Sequence, residues 1–241
     1  MPRANRHSVP GHIWHITHRC HQRDFLLKFA RDRRRWRHWL LQATKRYKLC
    51  VLNYVTTSNH IHLLVQDQGQ GEIARSMQLI AGRTGWEYNK RKGRKGAFWE
   101  DRYHAVAIDS EDYLARCMTY IDLNMVRAGV VDQPGKWDVC GYREIQDPPK
   151  RFRVVDVAAL LELLDMAEIA QLQRECAEWA ADSGAPALQR QECWSDSVAV
   201  GSQEFVEKVR KQLRMKGRHK AVEVHGDMYS LRELPAPYTT F

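Results

Sequence analysis

Two periods of apolar and polar residues divide the first half of this chain into short strands and longer helices. His12 to Arg19 is rich in β-branched and aromatic residues and predicts a first strand. Its alternation puts His12, Trp14, Ile16 and His18 on one face and His15, Thr17 and Arg19 on the other. From Phe29 to Tyr47 the period becomes helical: Phe29, Trp36, Trp39, Leu40 and Ala43 fall near one stripe, with Arg31 to Arg37 opposite. Leu49 to Thr57 predicts a second strand, Ser58-Asn59 a tight turn, and His60 to Gln66 a third strand returning antiparallel. Glu72 to Asn89 predicts a helix, and Tyr103 to Ile108 a fourth strand. Ser110 is a suitable N-cap for a helix over Glu111 to Arg127, stopped at Gly129. The order strand, helix, strand, strand, helix, strand, helix fits an α+β fold, an antiparallel sheet of the ferredoxin-like or RRM-like kind with helices packed against it.

The texture changes after Pro134. Asp147-Pro148-Pro149-Lys150 reads as a linker, Val154 to Met166 and Glu168 to Ala181 as two short helices, and Glu204 to Met215 as a third, capped by Ser202. The expected division is therefore a folded unit over residues 1–146 and a helical extension over 147–241 with a basic end. No internal repeat is evident.

Charge sharpens this picture. The chain of 241 residues carries a net +9, yet Met1 to Cys50 alone holds thirteen Lys or Arg against Asp24 and Asp32, a net of +11. Lys90, Arg91, Lys92, Arg94 and Lys95 form a second cluster, whereas Phe152 to Val200 is acidic. Such polarity is the footprint of a polyanion binder, most often nucleic acid, although part of it is ordinary solvated helix face. The candidate DNA contacts are Arg3, Arg6, Arg19, Arg33, Arg34, Arg35, Arg91, Lys92, Arg94, Lys95 and Arg102. Phe98-Trp99 beside Glu100-Asp101-Arg102 could stack on bases or close a loop as core aromatics. Six dispersed cysteines fit neither a disulfide framework nor a zinc ribbon. No apolar run reaches the ~20 residues of a membrane helix. The basic start leads into no signal-peptide core, so a cytoplasmic protein is expected.

The candidate chemistry lies in Asn59-His60-Ile61-His62. Period two places His60 and His62 on one strand face, where neutral imidazoles can hold a divalent cation. The pair alone decides little, because two-residue motifs recur by chance. A second group stands in Tyr120-Ile121-Asp122-Leu123-Asn124, whose first and last residues share a helix face. A phenol can act as a nucleophile, and an amide oxygen is a hard ligand suited to Mg²⁺ or Mn²⁺. Tyr113, seven residues earlier on nearly the same face, is the competing nucleophile. Cys117 stands where an amide partner would be needed.

These residues resemble the single-tyrosine HUH transposases of the IS200-like superfamily, and more narrowly the REP-associated tyrosine transposases. The resemblance covers roughly Arg3 to Tyr142. It rests on Pro10-Gly11, Asn59-His60-Ile61-His62, Phe98-Trp99-Glu100-Asp101-Arg102-Tyr103 and the stretch Tyr120 to Gly129. Ala199 to Phe205 is similar to the C-terminal part of longer members. The resemblance implies a Mg²⁺- or Mn²⁺-dependent enzyme that cleaves beside hairpins of single-stranded DNA. His60 and His62 would be metal ligands, and Tyr120 would form a 5′-phosphotyrosine and release a 3′-hydroxyl. Reversal by another 3′-hydroxyl would give strand transfer. Asn124 stands where related transposases carry Gln, one methylene longer, and Met125 replaces a common proline.

Three rivals share parts of this reading. A replication initiator or relaxase would use the same chemistry, but no third nearby histidine and no attached helicase accompany it. A domesticated hairpin-binding protein would not need His60, His62, Tyr120 and Asn124 together. A plain metal nuclease would use water in place of Tyr120, leaving no covalent adduct. Monomer and homodimer both remain open from sequence.

Overall fold

The computed structural model describes residues 11–110, 112–182, 189, 191–213 and 220–233. Four strands form its centre: β1 (Ile13–Arg19), β2 (Cys50–Thr56), β3 (His60–Gln66) and β4 (His104–Ile108). Their order, β2-β3-β1-β4, is all antiparallel and is that of a ferredoxin-like sheet. β1 is central, with Thr17 facing His62 on one side and His104 on the other. β2 and the middle of β3 are buried on both faces, which is why both read as nearly continuous apolar runs.

Helices cover the two faces. α1 (Ala30–Tyr47) buries Trp36, Leu40, Leu41 and Ala43 at helical spacing and packs on α2 (Glu72–Lys92). α2 belongs to the His18 face of the sheet: His18 stacks on Trp99, whose Nε1 donates to the Ala81 carbonyl. α3 (Asp112–Asp122) lies on the other face, where Tyr120 meets His15 and His62. Its end is pinned by buried Asp122, which accepts from Asn53 Nδ2 on β2 at 2.9 Å. The expected single helix to Arg127 is divided at Leu123, and α4 (Asn124–Arg127) follows as one short turn before Gly129 at φ +66°. Small helices α5 (Gly141–Gln146), α6 (Val157–Leu163) and α7 (Ile169–Asp182) then pack around β2 and α3.

The C-terminal segment is not helical alone, as the sequence suggested. After α8 (Cys193–Asp196), β5 (Ala199–Gly201) pairs parallel with β4, and the hairpin β6 (Lys220–His225) and β7 (Met228–Glu233) follows. The result is one seven-stranded sheet, β2-β3-β1-β4-β5-β7-β6. Helix α9 (Gln203–Gln212) is capped by Ser202, whose Oγ accepts from Phe205 N. Ser202 in turn donates through both N and Oγ to Asp109 at the end of β4. At Gly201 a Cβ would stand 2.4 Å from Asp109 Cβ, so only glycine fits this junction. Among the described residues no helix is long and apolar enough to cross a membrane.

Candidate active site

β3 presents His60 and His62 to one side, and α3 and α4 bring Tyr120 and Asn124 over them. All four line one open cavity of about 1220 Å³, which Arg19, Arg23, Arg102 and Arg127 share with Glu100, Asp101 and Asp196. The Tyr120 ring lies 5.8 Å from the His62 ring, centroid to centroid, and the two histidine rings 4.9 Å apart. Asn124 Nδ2 is 2.9 Å from His62 Nε2. The break at Leu123 therefore does not separate the two halves of the motif.

Hydrogen bonds fix which ring nitrogens carry protons. His60 Nδ1 lies 2.7 Å from Asn59 Oδ1, which can only accept, so Nδ1 holds the proton and Nε2 the lone pair. The neighbouring Thr57 hydroxyl spends its own proton on the His60 carbonyl. His62 is 3% exposed, and His15, 0% exposed, sits directly behind it. Burial, with His60, His15 and nearby arginines adding to it, holds His62 well below the ordinary imidazole range. Burial likewise lowers His15 to about 4, against an opposing contribution from its hydrogen bond to the Trp194 carbonyl. Both are neutral imidazoles at physiological pH, the form that ligates metals.

The donor set fits a hard divalent cation. Among the described residues no three His, Cys, Asp or Glu side chains gather as a metal cluster, so His60 and His62 would need a third donor of another kind to hold a metal. Asn124 is placed to be such a donor, with its amide 2.9 Å from His62 Nε2. Half a turn of its amide exchanges NH₂ for the carbonyl oxygen at the position now facing His62 Nε2. Two imidazole nitrogens and one amide oxygen suit Mg²⁺ or Mn²⁺ and leave positions for phosphate oxygens.

Arg127, to which sequence reasoning assigned no role, lies over the nucleophile candidate. Its guanidinium carbon is 4.2 Å from the Tyr120 ring centroid, and it donates to the Tyr120 carbonyl at 2.7 Å. Its place three residues after Asn124 was the available signal. Tyr113, the rival nucleophile, is not among the residues lining this cavity; its hydroxyl approaches the Asp227 carbonyl at 3.4 Å.

The basic residues separate by environment. Arg19 and Arg102 line the cavity that holds His60, His62 and Tyr120. Arg34, Arg35 and Arg91 line a groove of about 750 Å³ between α1 and α2, beside exposed Trp86. Within it Arg35 pairs with Glu87 and Arg91 with Asp32. Lys92 and Lys95 are exposed, whereas Arg94 bonds to Asn89 and the Ala97 carbonyl. Arg33 departs from expectation: it is buried, donates to the Leu27 and Lys28 carbonyls, and lies over Trp137. Its Nη1 is spent on those two carbonyls and its Nε is buried without a hydrogen-bond partner, so the side chain is held in the packing rather than offered to a strand. Arg3 and Arg6 lie outside the described residues. Phe98 is buried against Gly85 and Tyr88, so it closes the loop, while Trp99 stays half-buried on His18.

Comparison with known proteins agrees with the fold. The family model described as "Transposase IS200 like" matches residues 8–124. A solved REP-associated tyrosine transposase bound to a REP hairpin is 20% identical and superposes with a TM-score of 0.51, over 65% of this chain and 94% of that one. A protein described as a transposase from Deinococcus radiodurans R1 is 13% identical over 53% of this chain and 92% of that one; its TM-score of 0.35 carries no argument. No curated protein matches significantly. Residues 8–124, which carry the ferredoxin-like core and the His60, His62 and Tyr120 cavity, are thus similar to the IS200-like transposases.

Proposed function

We propose that this protein is a metal-dependent single-stranded DNA endonuclease and strand transferase, acting on hairpin-forming DNA through a phosphotyrosine on Tyr120. The observation that carries the reading is the convergence of Tyr120, His60, His62 and Asn124 on one cavity edged by arginines. The solved relative that binds a REP hairpin supports hairpin DNA as the substrate class. The open cavity and the basic α1–α2 groove supply the cationic surface such a strand needs.

Held by His60, His62 and Asn124, a Mg²⁺ or Mn²⁺ ion would polarise a phosphoryl oxygen and orient the scissile phosphate. The rest belongs to the chain. Tyr120 Oη attacks phosphorus, the Oη–P bond forms, and the P–O3′ bond opposite breaks. The phenolic proton leaves to solvent, and the departing 3′ oxygen takes one up. Arg127 places positive charge against the ring whose oxygen gains negative character as the Oη–P bond forms. Attack by a 3′-hydroxyl of another strand reverses these bonds and joins the DNA.

Incubation with end-labelled hairpin DNA and Mn²⁺, followed by a denaturing gel, tests the reading. It expects a protease-sensitive DNA adduct that disappears in excess chelator and in His60→Ala or His62→Ala, with Asn124→Ala milder. Full cleavage in chelator would sink the metal assignment.

A further inference from the structure

His62 is the more buried of the two histidines, and its orientation is set from far away in sequence. We infer that His15 and the Trp194 backbone carbonyl form a proton-positioning relay that commits His62 to the tautomer with its lone pair on Nε2, which makes the C-terminal segment part of the metal site. The inference rests on the reading of His60 and His62 as ligands.

The relay follows from donor and acceptor capacity alone. His15 Nδ1 lies 2.7 Å from the Trp194 carbonyl oxygen, an atom that can only accept, so Nδ1 carries a proton. A neutral imidazole has one N–H, so His15 Nε2 holds a lone pair. That nitrogen is 2.9 Å from His62 Nδ1, which must therefore donate. The remaining His62 nitrogen, Nε2, then has its lone pair directed at Asn124, the third proposed ligand. The two rings are nearly parallel, 14° apart, so the chain of bonds also fixes ring orientation.

The two ligands are thus oriented by different devices. His60 depends on Asn59 and Thr57, within three residues of it. His62 depends on a strand 47 residues earlier and on a carbonyl a further 179 residues from that strand. That carbonyl is set by α8, where Trp194 Nε1 donates to Gln191 Oε1 at 2.6 Å. The bonds of Val198 to Ala107 on β4 and Leu231 on β7 then hold the segment against the sheet. This gives the extension a role in the site that the family-matched residues 8–124 do not contain. A bland alternative is that His15 only fills space, in which case an apolar residue of similar size would serve equally.

Substitution and spectroscopy separate these. His15→Leu removes the acceptor and keeps bulk, while His15→Gln retains a donor for Trp194 and an acceptor for His62. Mn²⁺ affinity, read by electron paramagnetic resonance titration without DNA, should weaken about 10- to 100-fold in His15→Leu and stay within about threefold in His15→Gln. Wild-type affinity in a folded His15→Leu overturns the relay. His62→Ala is the reference: if it binds Mn²⁺ as wild type does, the ligand reading itself fails. Long-range ¹H–¹⁵N spectra of the metal-free wild-type protein give a decision that needs no variant. They should show His62 protonated at Nδ1 and bare at Nε2, and the opposite tautomer overturns the relay.

Discussion

Arg33, Arg34 and Arg35 are consecutive in sequence, yet the structure predicts that they fail in different ways when removed. The side chain of Arg33 is buried, with two carbonyls as acceptors and the Trp137 ring 4.3 Å from its guanidinium carbon. Arg33→Ala leaves the Leu27 and Lys28 carbonyls without this donor, at about 1–3 kcal/mol each, and forfeits a cation–π contact worth about 0.5–2 kcal/mol. The expected loss is roughly 3–5 kcal/mol, a drop of about 1–2 M in urea midpoint if the slope is near 3 kcal/mol/M. The Arg34 side chain is 70% exposed and reaches Asp138 only at 3.5 Å. Its removal should cost about 0–1 kcal/mol of stability. Its effect should appear instead in the salt dependence of single-strand DNA binding, lowering the log–log slope by about 0.7 per lost phosphate contact. Urea unfolding and salt titration of both variants decide the matter. Arg33→Ala with wild-type stability, or with a lowered salt slope while folded, would refute the assignment.

Other substitutions probe the rest of the site. Gly201→Ala should destabilise by about 1–3 kcal/mol, seen as a lower thermal midpoint, because its Cβ would strike Asp109 and Phe205. Arg127→Gln removes a ring contact worth about 0.5–2 kcal/mol, so single-turnover adduct formation should slow by roughly 2- to 30-fold. Tyr113→Phe loses only a long contact to Asp227 and should leave adduct yield at the wild-type level on the same gel.

The parts of this site that were legible in sequence are local. His60 and His62 could be paired because a strand repeats every two residues, and β3 runs over the residues its apolar pattern marks. Tyr120 and Asn124 are four residues apart, so their proximity survives even the break at Leu123. What escaped is long-range. His15 is one of two histidines on β1, and nothing in its neighbourhood announces a carbonyl from Trp194. The arginines of α1 fall near one another in sequence, but only the packing of Trp137 shows that Arg33 points inward. β5 is three residues long, too short for periodicity to register, and it depends on pairing with β4 and β7. β6 and β7 fell inside the expected helical extension, because β6 stays largely unburied and is defined by its pairing with β7 rather than by an apolar face.

The most direct test of the central claim is the identity of the residue bonded to DNA. Adduct formed with a hairpin substrate and Mn²⁺ should be digested with trypsin and nuclease and the peptides sequenced by mass spectrometry. The account predicts a nucleotide phosphodiester on Tyr120 and no adduct from Tyr120→Phe, a change that removes one oxygen and preserves the ring. A modified Tyr113, or cleavage by Tyr120→Phe at the wild-type rate, would contradict it.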